Sequence, residues 1–151
     1  MTGWKGVLLK EWTFVDTIQV ASGLPLTPIY PVGVAGTGIT GIRPNVTGAP
    51  LYDAVGRFLN PLAFTAPPDG QWGNAGRDII IGPSIFSMNA SMGRSFTVGD
   101  RHSIDMRFDA SNVLNHVTFP SWNTNIQSQQ FGLPSSANAM RVVRANLRLR
   151  F

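Results

Sequence analysis

Residues 139–151 read AMRVVRANLRLRF, and their alternation decides what kind of chain this is. Val143, Ala145, Leu147, Leu149 and Phe151 occupy every second position, and Arg144, Asn146, Arg148 and Arg150 the positions between. Side chains of a strand point alternately to its two sides, so this stretch is a strand with one apolar and one strongly polar face. A strand buried on both faces would not carry three arginines on one of them. An edge strand of a soluble β-sandwich alternates in the same way, so the wider chain has to choose the fold.

With 151 residues, the chain has length for one domain. Only 13% of its residues are charged, 16 are Gly and 11 are Pro, while 43% are hydrophobic, so a chain this poor in charge is not disordered by composition. No apolar run approaches the roughly 18 residues of a membrane helix, so any membrane crossing must be made by strands. Cysteine is absent, which excludes disulfides and thiolate metal sites. The formal charge is +4, with Arg141, Arg144, Arg148 and Arg150 crowded near the end. Three of these share one strand face without interleaved aromatics, so no nucleic-acid partner is expected. The opening residues MTGWKGVLLKEW lack the basic start, long apolar run and small-residue cleavage site of a secretory signal.

Three further segments alternate. In residues 11–22, Trp12, Phe14, Ile18 and Val20 oppose Glu11, Thr13, Thr17 and Gln19; Val15 and Asp16 break the pattern, which predicts a register shift or bulge near Val15. In residues 85–98, Phe86, Met88, Ala90, Met92, Phe96 and Val98 oppose a polar face, and Arg94 intrudes where its long side chain can reach an interface. In residues 103–116, Ile104, Met106, Phe108, Ala110 and Leu114 face one way and Ser103, Asp105, Arg107, Asp109 and Ser111 the other. Between the first two strands, residues 23–83 hold every proline except Pro120 and Pro134, and read as a long loop with short turns. A tight turn at Gly99-Asp100-Arg101 joins the middle strands, and a polar loop leads to the last.

The reading is all-β: about four antiparallel, up-and-down strands forming part of a transmembrane β-barrel, with long outer loops. If the Gly99 turn faces the periplasm, both longer loops lie outside. Thirteen residues at about 3.3 Å each, tilted by roughly 45°, rise about 30 Å, enough for the ~25 Å apolar band. Arg144, Arg148, Arg150, Asp105, Arg107 and Asp109 then face the lumen, and the alternating charges of residues 105, 107 and 109 are expected to pair across strands with Arg144 and Arg148. Flanked by His102 and His116, that face also invites a metal or acid/base reading. Carboxylates two or more residues apart are at least about 7 Å apart, and no nucleophile, base and orienting group stand at a recognisable spacing. No catalytic, cofactor-binding or metal-ligating residue is assigned, and the chain is not expected to be an enzyme.

The loop motifs carry a resemblance. Ser22-Gly23-Leu24-Pro25 with Thr27-Pro28, Arg43-Pro44-Asn45, Asn60-Pro61 with Ala63-Phe64, Gly73-Asn74-Ala75-Gly76-Arg77, Gly82-Pro83, Asn112 with Asn115-His116, and Phe131-Gly132 follow in that order. With the terminal Phe151, the order resembles TonB-dependent outer-membrane receptors, most nearly the C-terminal barrel segment of the large Oar-like branch. That resemblance implies a bacterial outer-membrane location and a barrel of about 22 strands around an N-terminal plug. It also implies that this chain is only its last part, with two sheet edges left for missing strands and no transport by itself. Phe151, Leu149, Leu147 and Ala145 are implied to form the insertion signal read by the barrel-insertion machinery. The implied partners are the rest of the barrel and plug, outer-membrane lipid, and TonB only through the missing N-terminal part. A soluble β-sandwich module binding a ligand on its long loop, or a structural barrel or adhesin without transport, are the alternatives.

Overall fold

The computed structural model describes residues 6, 10–53, 55–99 and 101–151. Asp100 of the expected turn lies outside them, as does most of the opening segment. Among the described residues ten strands follow in order: β1 Thr13–Ala21, β2 Pro25–Leu26, β3 Asn45–Val46, β4 Phe64–Thr65, β5 Ile80–Ile81, β6 Ile85–Val98, β7 His102–Ser111, β8 Ser121–Trp122, β9 Pro134–Ser136 and β10 Val142–Arg150. The chain divides into two compact units, Met1–Val20 with Phe86–Val117 and Ala139–Phe151, and Ala21–Ile85 with Thr118–Asn138.

The first unit holds a four-stranded sheet in the order β1-β6-β7-β10. β6 and β10 both run antiparallel to β7. Glu11, Thr13 and Val15 flank Ser91 to Ser95, whereas Val15 and Thr17 flank Asn89 to Ser91, so β1 runs opposite to β6 as well. The strands number 9, 14, 10 and 9 residues, and about 9–11 tilted residues span a bilayer. Gly99, at φ 66, supplies the left-handed backbone of the tight turn between β6 and β7.

Strand limits differ from the alternation in places, and β10 covers Val142–Arg150 of the expected 139–151. β1 starts at Thr13, because Glu11 has φ 66 and turns the chain before the ladder begins. It then runs to Ala21, with Val15 on the polar side beside Thr13 and Thr17, and alternation carries Asp16 to the apolar side. β7 stops at Ser111 instead of continuing to 116, because Asn112 and Asn115 adopt φ 49 and 51. Leu114, expected on the apolar face, therefore sits in a turn.

The second unit shows residues 23–83 to be a folded loop, with ladders only two residues long. Three two-stranded ladders, β2-β5, β3-β4 and β8-β9, fold it into a body with its own core of Leu59, Ala63, Phe64, Ile80 and Phe131. Fully burying a residue such as Leu59 or Phe131 contributes about 1.5–3 kcal/mol. Phe131 comes from the second loop and meets Phe64 edge-on at 5.7 Å, so the two connections share one core. The loop rings serve this body too. Tyr52 packs on Phe58 at 5.2 Å while its hydroxyl accepts the Ile81 N–H at 2.9 Å, whereas Trp72 remains exposed.

Candidate functional site: the two faces of the sheet

The register arranges the sheet side chains in rows. On the polar side, Ser91, Asp109 and Arg144 form one row, Gly93, Arg107 and Asn146 the next, Ser95, Asp105 and Arg148 the third, and Thr97, Ser103 and Arg150 the last. All six residues expected to face the lumen thus share one face. Gly93 has no side chain opposite Arg107, and a groove of about 440 Å³ opens there, reaching Thr13 and Asp105.

The expected ion pairs follow the register but not the contacts. Arg148 stands opposite Asp105 and Arg144 opposite Asp109, yet Asp105 meets Arg150 at 2.9 Å and Asp109 meets Arg107 of its own strand at 2.8 Å. Ser95 Oγ donates to Asp105 at 2.5 Å, and Asn146 Nδ2 to Asp109 at 3.3 Å. The right-handed twist of a sheet swings diagonal neighbours together, and long arginines reach them. Among the described residues neither Arg144 nor Arg148 forms an ion pair, so the polar face of β10 keeps surplus positive charge. Ser95, Asn146 and Gly93 were not singled out by pattern alone, because small polar residues on an alternating strand carry no mark of their partners.

The apolar side continues the same order: Ala90, Ala110 and Val143; Met92, Phe108 and Ala145; Arg94, Met106 and Leu147; Phe96, Ile104 and Leu149. This face is uncovered, with Phe14 and Leu147 each 65% exposed, whereas a β-sandwich would close a second sheet over it. Arg94 departs from expectation. Instead of reaching outward it lies flat and 8% exposed, its guanidinium carbon 4.4 Å from the Phe96 ring centroid and 5.8 Å from that of Trp12. Two π faces attract the cation and its stem covers apolar surface, so it stays among the rings. Phe151 follows β10 and is 98% exposed.

At the end of the sheet away from Gly99, Asn112 ties the end of β7 to β6 and to the segment leading into β10. Its backbone N–H donates to Asn89 Oδ1 on β6 at 3.1 Å, and its Oδ1 accepts the His116 N–H at 2.9 Å. Its Nδ2 donates to the carbonyls of His116 at 3.0 Å and Ala139 at 3.1 Å. Asn115 Oδ1 accepts the Arg141 N–H at 3.1 Å, just before β10. His116, once weighed as a metal ligand, belongs to this knot and meets Phe86 edge-on, while His102 stands opposite Val98. The signal in sequence was the asparagine pair directly after a strand, since asparagine tolerates positive φ.

The remaining motifs stitch the loop body. Asn74 N donates to Asn45 Oδ1 at 2.9 Å and Val46 N to Asn74 Oδ1 at 2.8 Å, joining the Gly73–Arg77 segment to Arg43-Pro44-Asn45. Gly82 N donates to Leu24 O at 2.8 Å, and Asn60 caps the short turn Pro61–Ala63 by accepting the Leu62 N–H at 3.0 Å.

A sheet with one uncovered apolar face and one charged face, whose four long strands neighbour one another in chain order, is a piece of transmembrane β-barrel wall. A family model described as an outer membrane beta barrel domain matches residues 2–144, and the chain belongs to that family. Its place is the bacterial outer membrane. Residues 145–151 fall beyond the match. No curated protein and no solved structure matches the chain.

Proposed function

We propose that the chain is the C-terminal wall segment of a TonB-dependent-type outer-membrane receptor, similar to the Oar-like branch. The observation that carries the reading is the sheet itself: its four long strands set side by side in chain order, an uncovered apolar face, and outer strands β1 and β10 exposed along nearly their whole length. In this role the polar face, with Arg144, Arg148, Arg150, Asp105, Arg107 and Asp109, lines the lumen, and the loop body forms part of the outer surface. Ala145, Leu147, Leu149 and Phe151 serve as the insertion signal. The segment adds wall, loops and signal and does not transport alone; its partners are the remaining strands and plug, membrane lipid and the insertion machinery, with TonB engaged only through the N-terminal part. No catalytic, cofactor or nucleic-acid role belongs to the proposal. The motif order, with Arg43-Pro44-Asn45 bonded to Asn74 and Gly82 to Leu24, supports the receptor branch.

The test is the genomic reading frame upstream of Met1, followed by substrate uptake in cells carrying the whole gene or a deletion of it. Coding sequence for a plug and many further strands, with uptake lost on deletion, is the expected result. A stop codon immediately upstream, in a genome lacking the rest, would overturn the receptor reading.

A further inference from the structure

On the apolar side of the sheet, which a barrel wall turns to lipid, β7 presents Ile104, Met106, Phe108 and Ala110 between His102 and Asn112, and β10 presents Val143, Ala145, Leu147 and Leu149 alongside them. The ten residues from His102 to Asn112, at about 3.3 Å each and tilted by roughly 45°, rise about 23 Å, close to the ~25 Å apolar band of an outer-membrane barrel. The turn at Asn112 therefore stands at a membrane rim. Polar and apolar groups are gathered there in a fixed arrangement. Val113 N donates to Met88 O at 2.9 Å and seats the turn on β6. The Asn112 amide, bonded to the carbonyls of His116 at 3.0 Å and Ala139 at 3.1 Å, draws those two segments together. His116 meets the ring of Phe86, a residue of the apolar side, with centroids 5.9 Å apart. Arg141 has the parity of Val143, and its Nη1 donates to the Val113 carbonyl at 3.3 Å. Its guanidinium forms no ion pair among the described residues, and Leu114 and Met140, next in sequence to Val113 and Arg141, are 58% and 60% exposed.

We infer that this rim is a lipid-phosphate site: Arg141 takes the phosphate of a membrane lipid, and the acyl chains of that lipid run along the apolar rows of the sheet. A guanidinium presents a planar fork of N–H groups that matches phosphate oxygens. One of them is held by Val113, which fixes the group at the rim and leaves the rest of the fork to the ligand. Leu114 and Met140 set exposed apolar surface next to the charge, and Phe86 leads on into the apolar rows. A lipid with an anionic head and apolar tails satisfies both parts, whereas a free anion would leave that surface in water. The inference goes beyond the receptor reading and rests only on the outer-membrane location of the wall.

The experiment uses the 151-residue chain refolded in maltoside micelles, which carry no phosphate. Phosphatidylglycerol, diacylglycerol with the same acyl chains, and inorganic phosphate are titrated separately, and bound molecules are counted by native mass spectrometry. Phosphatidylglycerol should bind much more tightly than either of the others. Arg141→Gln should lower its affinity about ten-fold or more, the size of a charge-assisted hydrogen bond to phosphate, while Arg77→Gln, exposed in the loop body, should leave it unchanged. Equal affinity in Arg141→Gln and the unmodified chain, or diacylglycerol binding as well as phosphatidylglycerol, overturns the inference. Inorganic phosphate binding as tightly as the lipid would mark a site for free anions and overturns it too. If Arg141→Gln does not fold, a phosphatidylcholine spin-labelled at its headgroup decides the question on the unmodified chain. Amide signals of residues 113–116 and 139–141 should then broaden several-fold more than those of Val98, His102 and Ser103 at the other rim; equal broadening overturns the site.

Discussion

Arg150 Nη2 lies 2.9 Å from Asp105 Oδ2, although the strand register places Arg148 opposite that aspartate. The pair is diagonal and partly exposed, so its strength is that of a surface ion pair, about 0–1 kcal/mol. Arg150→Gln should cost less than about 1 kcal/mol, whereas Asp105→Ala, which also strands the Ser95 hydroxyl, should cost about 1–2 kcal/mol. Urea unfolding of the chain in lipid vesicles measures both; equal costs would show that the Ser95 contact contributes nothing.

Leu147 and Asn146 are adjacent in β10 but lie on opposite faces. Leu147→Arg should destabilise folding into vesicles by about 2–4 kcal/mol if its row lies near the bilayer midplane, while Asn146→Arg on the polar face should cost little. Comparable losses at both positions would contradict the assignment of faces.

Asn112 is 8% exposed and carries the bonds that close the loop from β7 back to β10. Asn112→Leu removes three side-chain hydrogen bonds at a residue with φ 49, and should cost about 2–4 kcal/mol. Asn112→Gly keeps the backbone conformation, so the difference between the two variants isolates the backbone contribution. Hydrogen exchange at His116 should accelerate in both.

Gly132 has φ +74, and a Cβ there would fall 2.7 Å from the Leu59 carbonyl oxygen and 2.9 Å from the Leu59 Cβ. Gly132→Ala should therefore disrupt the loop body while leaving the sheet in place, as should Leu59→Ala, at about 2–5 kcal/mol. Limited proteolysis should cut both variants within residues 21–85 and spare β6 and β7. Protection equal to the unmodified chain would argue against a core at Leu59 and Phe131.

Phe151 touches so little of the sheet that its removal should hardly change stability once the protein is folded. If it marks the strand for insertion, deleting it or making Phe151→Asp should lower outer-membrane abundance of the full-length protein with synthesis and export unchanged. Arg150→Gln should have a much smaller effect. Equal abundance of the Phe151 and Arg150 variants would count against the insertion role.

Sequence by itself determined the amphipathic strands, because a period of two is a local property: a residue's side is set by its parity, whatever it later meets. Residues 85–98 and the alternation through Arg144, Arg148 and Arg150 could be read without coordinates for that reason, and so could the charged character of one face. Tertiary structure alone decided the rest. Which arginine holds Asp105 depends on sheet twist, which shifts contacts diagonally and leaves no trace in strand parity. Whether Arg94 reaches outward or lies against Trp12 and Phe96 depends on the fold bringing Trp12, more than eighty residues earlier in the chain, beside a ring of its own strand. The core shared by the two loops was hidden most completely: Leu59, Ile80 and Phe131 meet because the chain doubles back through proline and glycine turns, and a core assembled that way has no period to read.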